Sequence, residues 1–225
     1  MNLARSVSSF DMPITISNHI HSLNSYTVPP CYSKHLSGIL LSNGDIRSRV
    51  QKLAFEIYNF YKNEPFTIIV MLKGAFKFFQ DLHLSLQKLY ESNGFANHLN
   101  IEFVKLSHYK NSDSTRKAVV KGIDLENLAG KRILVIEDLV GRGVALQTFV
   151  NELKENKAKD VQVAVLIDKV CKRDKSIELP LKFVGYLLTE NLFTVGYGMD
   201  FNEQFRDLKH LAVLNQEGFE DLAID

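Results

Sequence analysis

The apolar residues of this chain follow two recurring patterns from about residue 43 onward. In the first pattern they recur at helical spacing, and Asn43-Gly44-Asp45 is a start signal before the first such segment. The apolar positions of the three predicted helices are Ile46, Val50, Leu53, Ala54, Ile57 and Phe60, then Phe79, Leu82, Leu86 and Leu89, then Leu146, Phe149, Val150 and Leu153.

The second pattern is a short continuous apolar run, which is typical of a buried parallel strand. Thr67–Leu72 is the clearest example, and five further segments are predicted to be strands: Ile101–Leu106, Arg132–Glu137, Val161–Ile167, Lys182–Leu187 and Phe193–Tyr197. Strands that alternate with helices predict an α/β fold, in which a mainly parallel, twisted sheet is flanked by helices on both faces.

Two segments do not follow this alternation. Residues 1 to about 30 lack clear periodicity and end at Pro29-Pro30, so we expect a mobile arm or a strap on the surface. The segment Ser107–Leu128 is polar and long for a structural connection. It is therefore predicted to be a functional lid.

Composition narrows the class of protein. The chain has 225 residues, of which 45% are hydrophobic, enough for one domain with a small appendage. With 27 basic and 26 acidic residues the net charge is +1, which argues against nucleic-acid binding through bulk charge. Cys31 and Cys171 lie far apart, no signal peptide is evident, and no apolar run reaches the roughly 20 residues of a membrane span. We therefore expect a cytoplasmic protein with no membrane partner.

The window Arg132–Ala145 carries the candidate chemistry. An apolar strand leads to Glu137 and Asp138, and Gly141 and Gly143 form a Gly-x-Gly turn before a helix. Ligands of open α/β sheets bind at the carboxyl ends of strands, and helix N-termini bind phosphate. Two carboxylates there can accept hydrogen bonds from vicinal hydroxyls, so the window fits ribose 5-phosphate. A plain turn with two solvated acids explains this window about equally well.

The window resembles the phosphoribosyl-diphosphate (PRPP) motif of type I phosphoribosyltransferases. From about Ser37 to Gly218 the chain is similar to hypoxanthine-guanine phosphoribosyltransferases. The matching segments, in the family's order, are Val70–Phe79, Ile136–Asp138, Phe183–Tyr186 and Val195–Leu208. This resemblance implies the type I fold with a small hood lobe, built from N-terminal residues and from about Lys175 onward. Residues 1–36 would then be an arm and part of the hood, and 37–225 the phosphoribosyltransferase domain.

The resemblance also implies roles at the purine and pyrophosphate ends of a site. Lys73-Gly74 would contact pyrophosphate through its backbone, often beside a cis peptide, and Lys169 would donate to the purine 6-oxo group. Phe193 would stack on the purine, and the backbone of Thr194 would read its edge. Without the resemblance, these residues are an ordinary turn, a solvated lysine and a core phenylalanine.

Further implied roles concern the ribose, the metal and the lid. Glu137 and Asp138 would bind the ribose hydroxyls directly or through Mg²⁺. Asp200 would hold Mg²⁺ near pyrophosphate, with Arg206 as its charge partner. The segment Ser107-His108-Tyr109 matches the family's lid, in which the serine expected at His108 is absent and the tyrosine is kept.

The loop after Asp138 departs from the family pattern. The family reads Asp-Thr-Gly-Lys-Thr, and this chain reads Gly141-Arg142-Gly143-Val144-Ala145. The missing aspartate is the general acid or base at purine N7, a role that typically contributes about 10²–10⁴ in rate. Arg142 and Ala145 replace two phosphate-binding threonines, although the loop N–H groups remain and Arg142 can pair with phosphate.

A second departure is Asp168, directly before Lys169. Strand alternation points its side chain away from the face that Lys169 occupies, so it need not disturb the purine.

Three functions compete at this point. The first is purine salvage by a slow Mg²⁺-dependent transferase that gives IMP or GMP and pyrophosphate, in a homodimer or homotetramer as the resemblance implies. The second is a purine-nucleotide-binding paralogue that acts as a sensor or a partner of an active enzyme. The third, a PRPP-responsive nucleic-acid regulator, predicts a basic groove that the near-neutral charge does not indicate.

Overall fold

A computed structural model describes residues 12–16, 19–62, 64–94, 99–108 and 118–223. The helices are α1 (Pro30–Ser33), α2 (Asn43–Tyr61), α3 (Phe76–Ser92), α4 (Val144–Glu155) and α5 (Gln216–Asp221). The strands are β1 (Ile14–Ile16), β2 (Leu36–Leu41), β3 (Thr67–Met71), β4 (Asn100–His108), β5 (Ala118–Lys121), β6 (Arg132–Val140), β7 (Asp160–Asp168), β8 (Leu181–Leu188), β9 (Thr194–Val195) and β10 (Leu211–Leu214). Short 3₁₀ helices cover Leu23–Ser25, Leu125–Leu128 and Val170–Lys172.

The main sheet has the strand order β1-β8-β7-β6-β3-β4-β5, and every neighbouring pair is parallel except β4 with β5. Its central strands are buried, as the continuous apolar runs predicted. The α/β prediction of a mainly parallel sheet flanked by helices is therefore confirmed. Within the described ranges, no helix combines the length and apolar composition that a bilayer crossing requires.

The helices form where the helical spacing predicted them. Helix α2 begins at Asn43, and the Ser42 hydroxyl caps it by accepting a hydrogen bond from the Asp45 N–H at 3.1 Å. Its apolar face, including Ile46, Val50 and Leu53, is fully buried in the main core. Helices α3 and α4 also bury their predicted apolar positions, except that Leu89 is only half-buried.

A second, three-stranded antiparallel sheet has the order β2-β10-β9 and a separate small core. We call this sheet and the residues packed on it the hood. Strand β2 contributes Leu36–Leu41, whereas β8, which lies beyond Lys175, belongs to the main sheet. The N-terminal part of the hood therefore includes residues before and after position 36. Its C-terminal part consists of residues after Leu188.

Three local predictions from the sequence are wrong. Strand β6 does not end at Glu137, because β7 continues beside it and Val140 pairs with Asp168. The strand predicted over Phe193–Tyr197 is shorter than expected. Only Thr194–Val195 is extended, in the hood, because Gly196 and Tyr197 adopt positive φ angles of 95° and 49°.

The third difference lies near the N-terminus, where a mobile arm or a strap on the surface was expected. Ile14–Ile16 pairs in parallel with Tyr186–Leu188 and forms the edge of the main sheet. The Arg49 guanidinium helps to hold this edge, because it donates to the Met12 carbonyl at 3.3 Å and to the Val184 carbonyl at 2.8 Å. A strand of three residues is too short to show a periodic pattern.

The segment predicted as a lid is partly a continuation of the sheet. Strand β4 runs to His108, and β5 returns antiparallel to it, with His108 opposite Ala118. Ser107 and His108 are thus the last residues of a strand. Tyr109 lies outside the described residues, so its predicted contact with substrate is not tested.

Candidate functional site

The candidate site is an open cleft between the hood and the carboxyl ends of β6 and β7. It has a volume of about 250 Å³ and is lined by Asp138, Leu139, Lys169, Phe193, Thr194, Met199 and Asp200. Five of these residues, all but Leu139 and Met199, were singled out from the sequence. Residues from distant parts of the chain therefore meet in one cleft at the end of the sheet where α/β proteins bind ligands.

The adjacent acids Glu137 and Asp138 lie inside β6. The strand ends at Val140, three residues after Glu137. Asp138 lines the cleft, whereas Glu137 is not among the lining residues. The Asp138 N–H donates to Glu137 Oε1 at 3.2 Å. Burial raises the pKa of Glu137 well above its usual value, and the negative charge of Asp138 raises it further. Hydroxyl donors or a cation beside this pair would favour the ionised form.

The Lys73-Gly74 turn packs against Asp138. The Leu72–Lys73 peptide bond is cis, as the resemblance implied. The Asp138 carboxylate occupies the space in which a side chain on residue 74 would begin, so only glycine fits there. Lys73 Nζ forms an exposed ion pair with Glu203 Oε2 at 3.0 Å. The side chain of Lys73 is thus engaged at the surface, and its backbone remains beside the cleft.

Asp200 and Arg206 form the predicted charge pair, with Asp200 Oδ1 2.8 Å from Arg206 Nη2. The other carboxylate oxygen accepts the Glu203 N–H at 2.9 Å, and Arg206 Nη1 donates to the Gly198 carbonyl at 2.9 Å. These bonds fix the Asp200 carboxylate at the edge of the cleft. Among the described residues, no group of three or more His, Cys, Asp or Glu side chains can hold a metal ion by itself.

Lys169 and Thr194 define the end of the cleft predicted to read a purine. Lys169 Nζ donates to the Leu192 carbonyl at 2.6 Å, which leaves donors of the ammonium group for a ligand. Burial lowers the pKa of Lys169 below that of an ordinary lysine. Thr194 lines the cleft but is largely buried, and its hydroxyl lies 3.8 Å from Met199 Sδ.

Phe193 belongs to a triad of phenyl rings that the sequence reasoning missed. Its ring packs edge-to-face against Phe201 at 5.5 Å and against Phe219 at 5.2 Å between centroids. Phe201 and Phe219 contact each other at 5.3 Å. Phe193 itself is 40% exposed. Two phenyl rings thus contact Phe193 while part of its side chain stays exposed, and no local pattern in the sequence indicates the contact with α5.

The loop between β6 and α4, Gly141–Gly143, is the predicted phosphate-binding loop. Gly143 has a positive φ of 87° and precedes the first turn of α4, whose N–H groups have no intrahelical acceptor. A side chain at Gly141 would meet no atom within 4 Å, and Gly141 has no positive φ. The backbone required for binding an anion is therefore present, and Gly141 is replaceable.

The side chains of this loop give less support to phosphate binding than the sequence suggested. Arg142 is 73% exposed and lies 3.9 Å from the Asp174 carboxylate. It therefore has an acidic partner, which competes with the predicted phosphate contact. Val144 is exposed, and Ala145 brings no hydroxyl to the loop.

Lys169 lines the cleft, whereas Asp168, the last residue of β7, is not one of its lining residues. Asp168 is buried and forms an ion pair with Arg173. Burial raises the pKa of Asp168, and Arg173 partly offsets that rise. The sequence reasoning did not identify Arg173.

Comparison with known proteins places the chain among phosphoribosyltransferases. The family model described as "Phosphoribosyl transferase domain" matches residues 37–202. The chain is 35% identical over 213 residues to the hypoxanthine-guanine-xanthine phosphoribosyltransferase of Plasmodium falciparum, covering 93% of this chain and 91% of that protein. It is 32% identical over 199 residues to the hypoxanthine-guanine phosphoribosyltransferase of Bos taurus, covering 88% and 90%.

A solved structure is similar over nearly the whole chain. The hypoxanthine-guanine phosphoribosyltransferase of Schistosoma mansoni, crystallised in complex with IMP, superposes with a TM-score of 0.76 at 26% identity. The match covers 94% of this chain and 100% of that one.

Proposed function

The chain belongs to the hypoxanthine-guanine phosphoribosyltransferase family, and from this membership we propose that it is a purine salvage enzyme. It transfers ribose 5-phosphate from PRPP to hypoxanthine or guanine, which gives IMP or GMP and pyrophosphate. The observation that carries this proposal is the single cleft in which Asp138, Lys169, Phe193 and Asp200 meet.

The purine binds between the hood and the strand ends. Its ring stacks on the exposed part of Phe193, whose orientation Phe201 and Phe219 fix from behind. Lys169 donates to the 6-oxo group with a proton that its bond to the Leu192 carbonyl does not use. Adenine presents an amino group at this position, so a lysine donor there selects hypoxanthine or guanine.

The ribose and pyrophosphate bind toward β6 and the Lys73-Gly74 turn. Asp138 accepts hydrogen bonds from the ribose hydroxyls, with Glu137 beside it in the strand. As the new bond to the purine nitrogen forms, the purine loses its imidazole N–H proton to water, and the bond from ribose C1′ to pyrophosphate breaks with its electron pair leaving on pyrophosphate. The backbone of Lys73-Gly74 positions that group next to the Asp138 carboxylate.

Asp138 and Asp200 suit Mg²⁺, because both carboxylates line the same cleft. Magnesium in phosphate-transfer sites takes one or two carboxylates together with substrate oxygens and water, so a cage of protein ligands is not needed. When bound, the ion supplies positive charge that stabilises the departing pyrophosphate. Arg206 holds Asp200 in place for this role.

The proposed turnover is slow, because Gly141 places no carboxylate at purine N7. The loop keeps its backbone donors at the start of α4, so binding of the 5′-phosphate survives better than the chemical step. We further propose that His108 and Tyr109, which match the family's lid, close over the reaction centre. The proposal includes a homodimer or homotetramer, by resemblance to the family.

A second candidate is a purine-nucleotide-binding paralogue without appreciable turnover. The observation that favours it is the phosphate loop, in which Gly141 has no acid-base group and Arg142 pairs with Asp174. The side chains at the purine end would be the same in both cases. Binding alone therefore does not separate the two candidates.

One experiment with two readouts separates them. Product formation from PRPP, Mg²⁺ and guanine or hypoxanthine is measured beside the GMP-induced rise in thermal stability. At about 100 times its Kd, GMP should stabilise the fold by about 2.7 kcal/mol. Binding with slow turnover supports the salvage enzyme, and binding without turnover supports the paralogue. No stabilisation at millimolar GMP contradicts both.

A further inference from the structure

A buried ion pair lies directly beside the phosphate-binding loop. Asp168 is the last residue of β7 and pairs in register with Val140, the residue that precedes the loop. Its carboxylate binds the Arg173 guanidinium, and the side chains are only 11% and 17% exposed respectively. A buried charged pair of this kind is costly unless its geometry is held, so its position next to a loop with altered chemistry requires an explanation.

The guanidinium of Arg173 packs against the loop itself. A Cβ atom at Gly143 would lie 2.6 Å from Arg173 Nη1, 3.0 Å from Leu179 and 3.3 Å from Ile177. Arg173 Nη1 is buried and has no acceptor among the described residues. Arg173 Nη2 is thus held by Asp168, and Arg173 Nη1 faces the backbone of Gly143.

The next residue in the chain reinforces this contact. The Asp174 N–H donates to the Arg142 carbonyl at 3.3 Å, and its carboxylate lies 3.9 Å from the Arg142 guanidinium. The segment Arg173–Leu179 therefore contacts Arg142 and Gly143, two of the three loop residues. A short 3₁₀ helix joins this segment to Lys169 in the cleft.

We propose that Arg173, fixed by Asp168, is a positioning residue for the loop that binds the 5′-phosphate of the nucleotide. This inference rests on the proposed function, in which the loop binds a phosphate monoester. A loop without threonine hydroxyls depends on its backbone N–H groups, and their directions depend on the path of Gly141–Gly143. The buried guanidinium sets that path and adds positive charge behind the phosphate.

The test compares Arg173→Gln with Lys175→Gln, which removes an exposed cation from the same segment. Hydrogen exchange of the ligand-free protein should show faster exchange at the amides of residues 141–145 in Arg173→Gln, and no change in the core of β6. The affinity for GMP should fall about tenfold relative to the affinity for guanosine, which lacks the phosphate. Lys175→Gln should behave as wild type, and Arg173→Lys should recover part of the loss.

Three outcomes overturn the inference. One is unchanged exchange of the loop in Arg173→Gln. Another is an equal loss of GMP and guanosine affinity, which indicates a structural ion pair only. The third is an equal effect of Lys175→Gln. If Arg173→Gln does not fold, Asp168→Asn, which has nearly the same shape, serves for the same measurements. Failure of the wild type to bind GMP refutes the proposed function, whereas the exchange experiment still decides the position of the loop.

Discussion

In the proposed function, the two ends of the cleft recognise the ligand by different means. At the purine end, the side chains of Lys169 and Phe193 present a donor and an aromatic ring to the ligand. At the phosphate end, the loop Gly141–Gly143 offers backbone groups, and the neighbouring Arg173 and Asp174 hold it from outside. Under this proposal, base selection depends on individual side chains, whereas phosphate binding depends on the path of the backbone.

The largest effect is expected from Gly141→Asp, which gives the phosphate end the side chain that it lacks. A Cβ at this position meets no neighbour within 4 Å, so the substitution should be tolerated. A restored acid-base group should raise kcat by up to about 10²–10⁴, and the recovery should be partial because Arg142 and Ala145 remain.

Gly141→Asn is the matched control for this prediction, since its side chain has nearly the same shape and does not ionise. Steady-state turnover with guanine and with hypoxanthine is the measurement. Equal gains in the aspartate and asparagine variants would show that acid-base chemistry is not the defect. Wild-type turnover already in the range of about 1–10³ per second would contradict the proposed slow turnover.

The second prediction tests whether a single side chain selects the base. Lys169→Ala should weaken the binding of GMP and IMP by about 1–3 kcal/mol and leave the binding of AMP little changed. Only the 6-oxo purines accept a hydrogen bond from the ammonium group. Isothermal titration with the three nucleotides measures this difference. Lys172→Ala, which removes an exposed cation close by, is the control. Equal losses for GMP and AMP would mean that Lys169 does not read the 6-oxo group.

A smaller effect is expected when the support behind Phe193 is removed. Phe219→Leu keeps an apolar side chain but loses two edge-to-face contacts, each centred between 5.2 and 5.3 Å. Aromatic pairs of this kind contribute about 0.5–1.5 kcal/mol. The KM for the purine base should rise accordingly while the KM for PRPP stays constant. Phe55→Leu, at an exposed position on α2, is the matched control. Parallel changes in both KM values would argue against a role at the purine end alone.

The smallest expected effect is a pH dependence confined to the purine end. Burial lowers the pKa of Lys169, so its ammonium group loses its proton at a lower pH than a lysine with the ordinary pKa of about 10.4. The charged form of Lys169 is the donor. The preference for GMP over AMP should therefore decline a fewfold as the pH rises toward the ordinary lysine pKa. Titrations across alkaline pH measure the ratio, and Lys169→Ala should show no such decline.

The sequence predicted the helices and the buried strands because periodic apolar residues such as Ile46 and Val50 report directly on burial. It also brought together Asp138 and Lys169, since ends of parallel strands meet at one edge of a sheet. It missed the end of β6, because Val140 is extended only through its pairing with Asp168. Phe219 could not be found either, because its contact with Phe193 depends on how α5 packs on the hood.

The ion pair between Asp168 and Arg173 shows the same limit. The residues are five positions apart, across the end of β7 and a 3₁₀ helix, and no spacing rule joins such positions. Strand alternation concerns only the face on which a side chain lies, so it could not identify Arg173 as the partner of Asp168.

The three glycines around the cleft have a consequence for mutational libraries. Gly74 lies against the Asp138 carboxylate, so every substitution there displaces an acid of the site. We therefore expect selection for activity to retain only glycine at position 74. Gly143 combines a positive φ with the Arg173 contact and should be almost as restricted. Gly141 is unconstrained, so it is the position at which a randomised library should retain the most diversity and from which selection could enrich an acid.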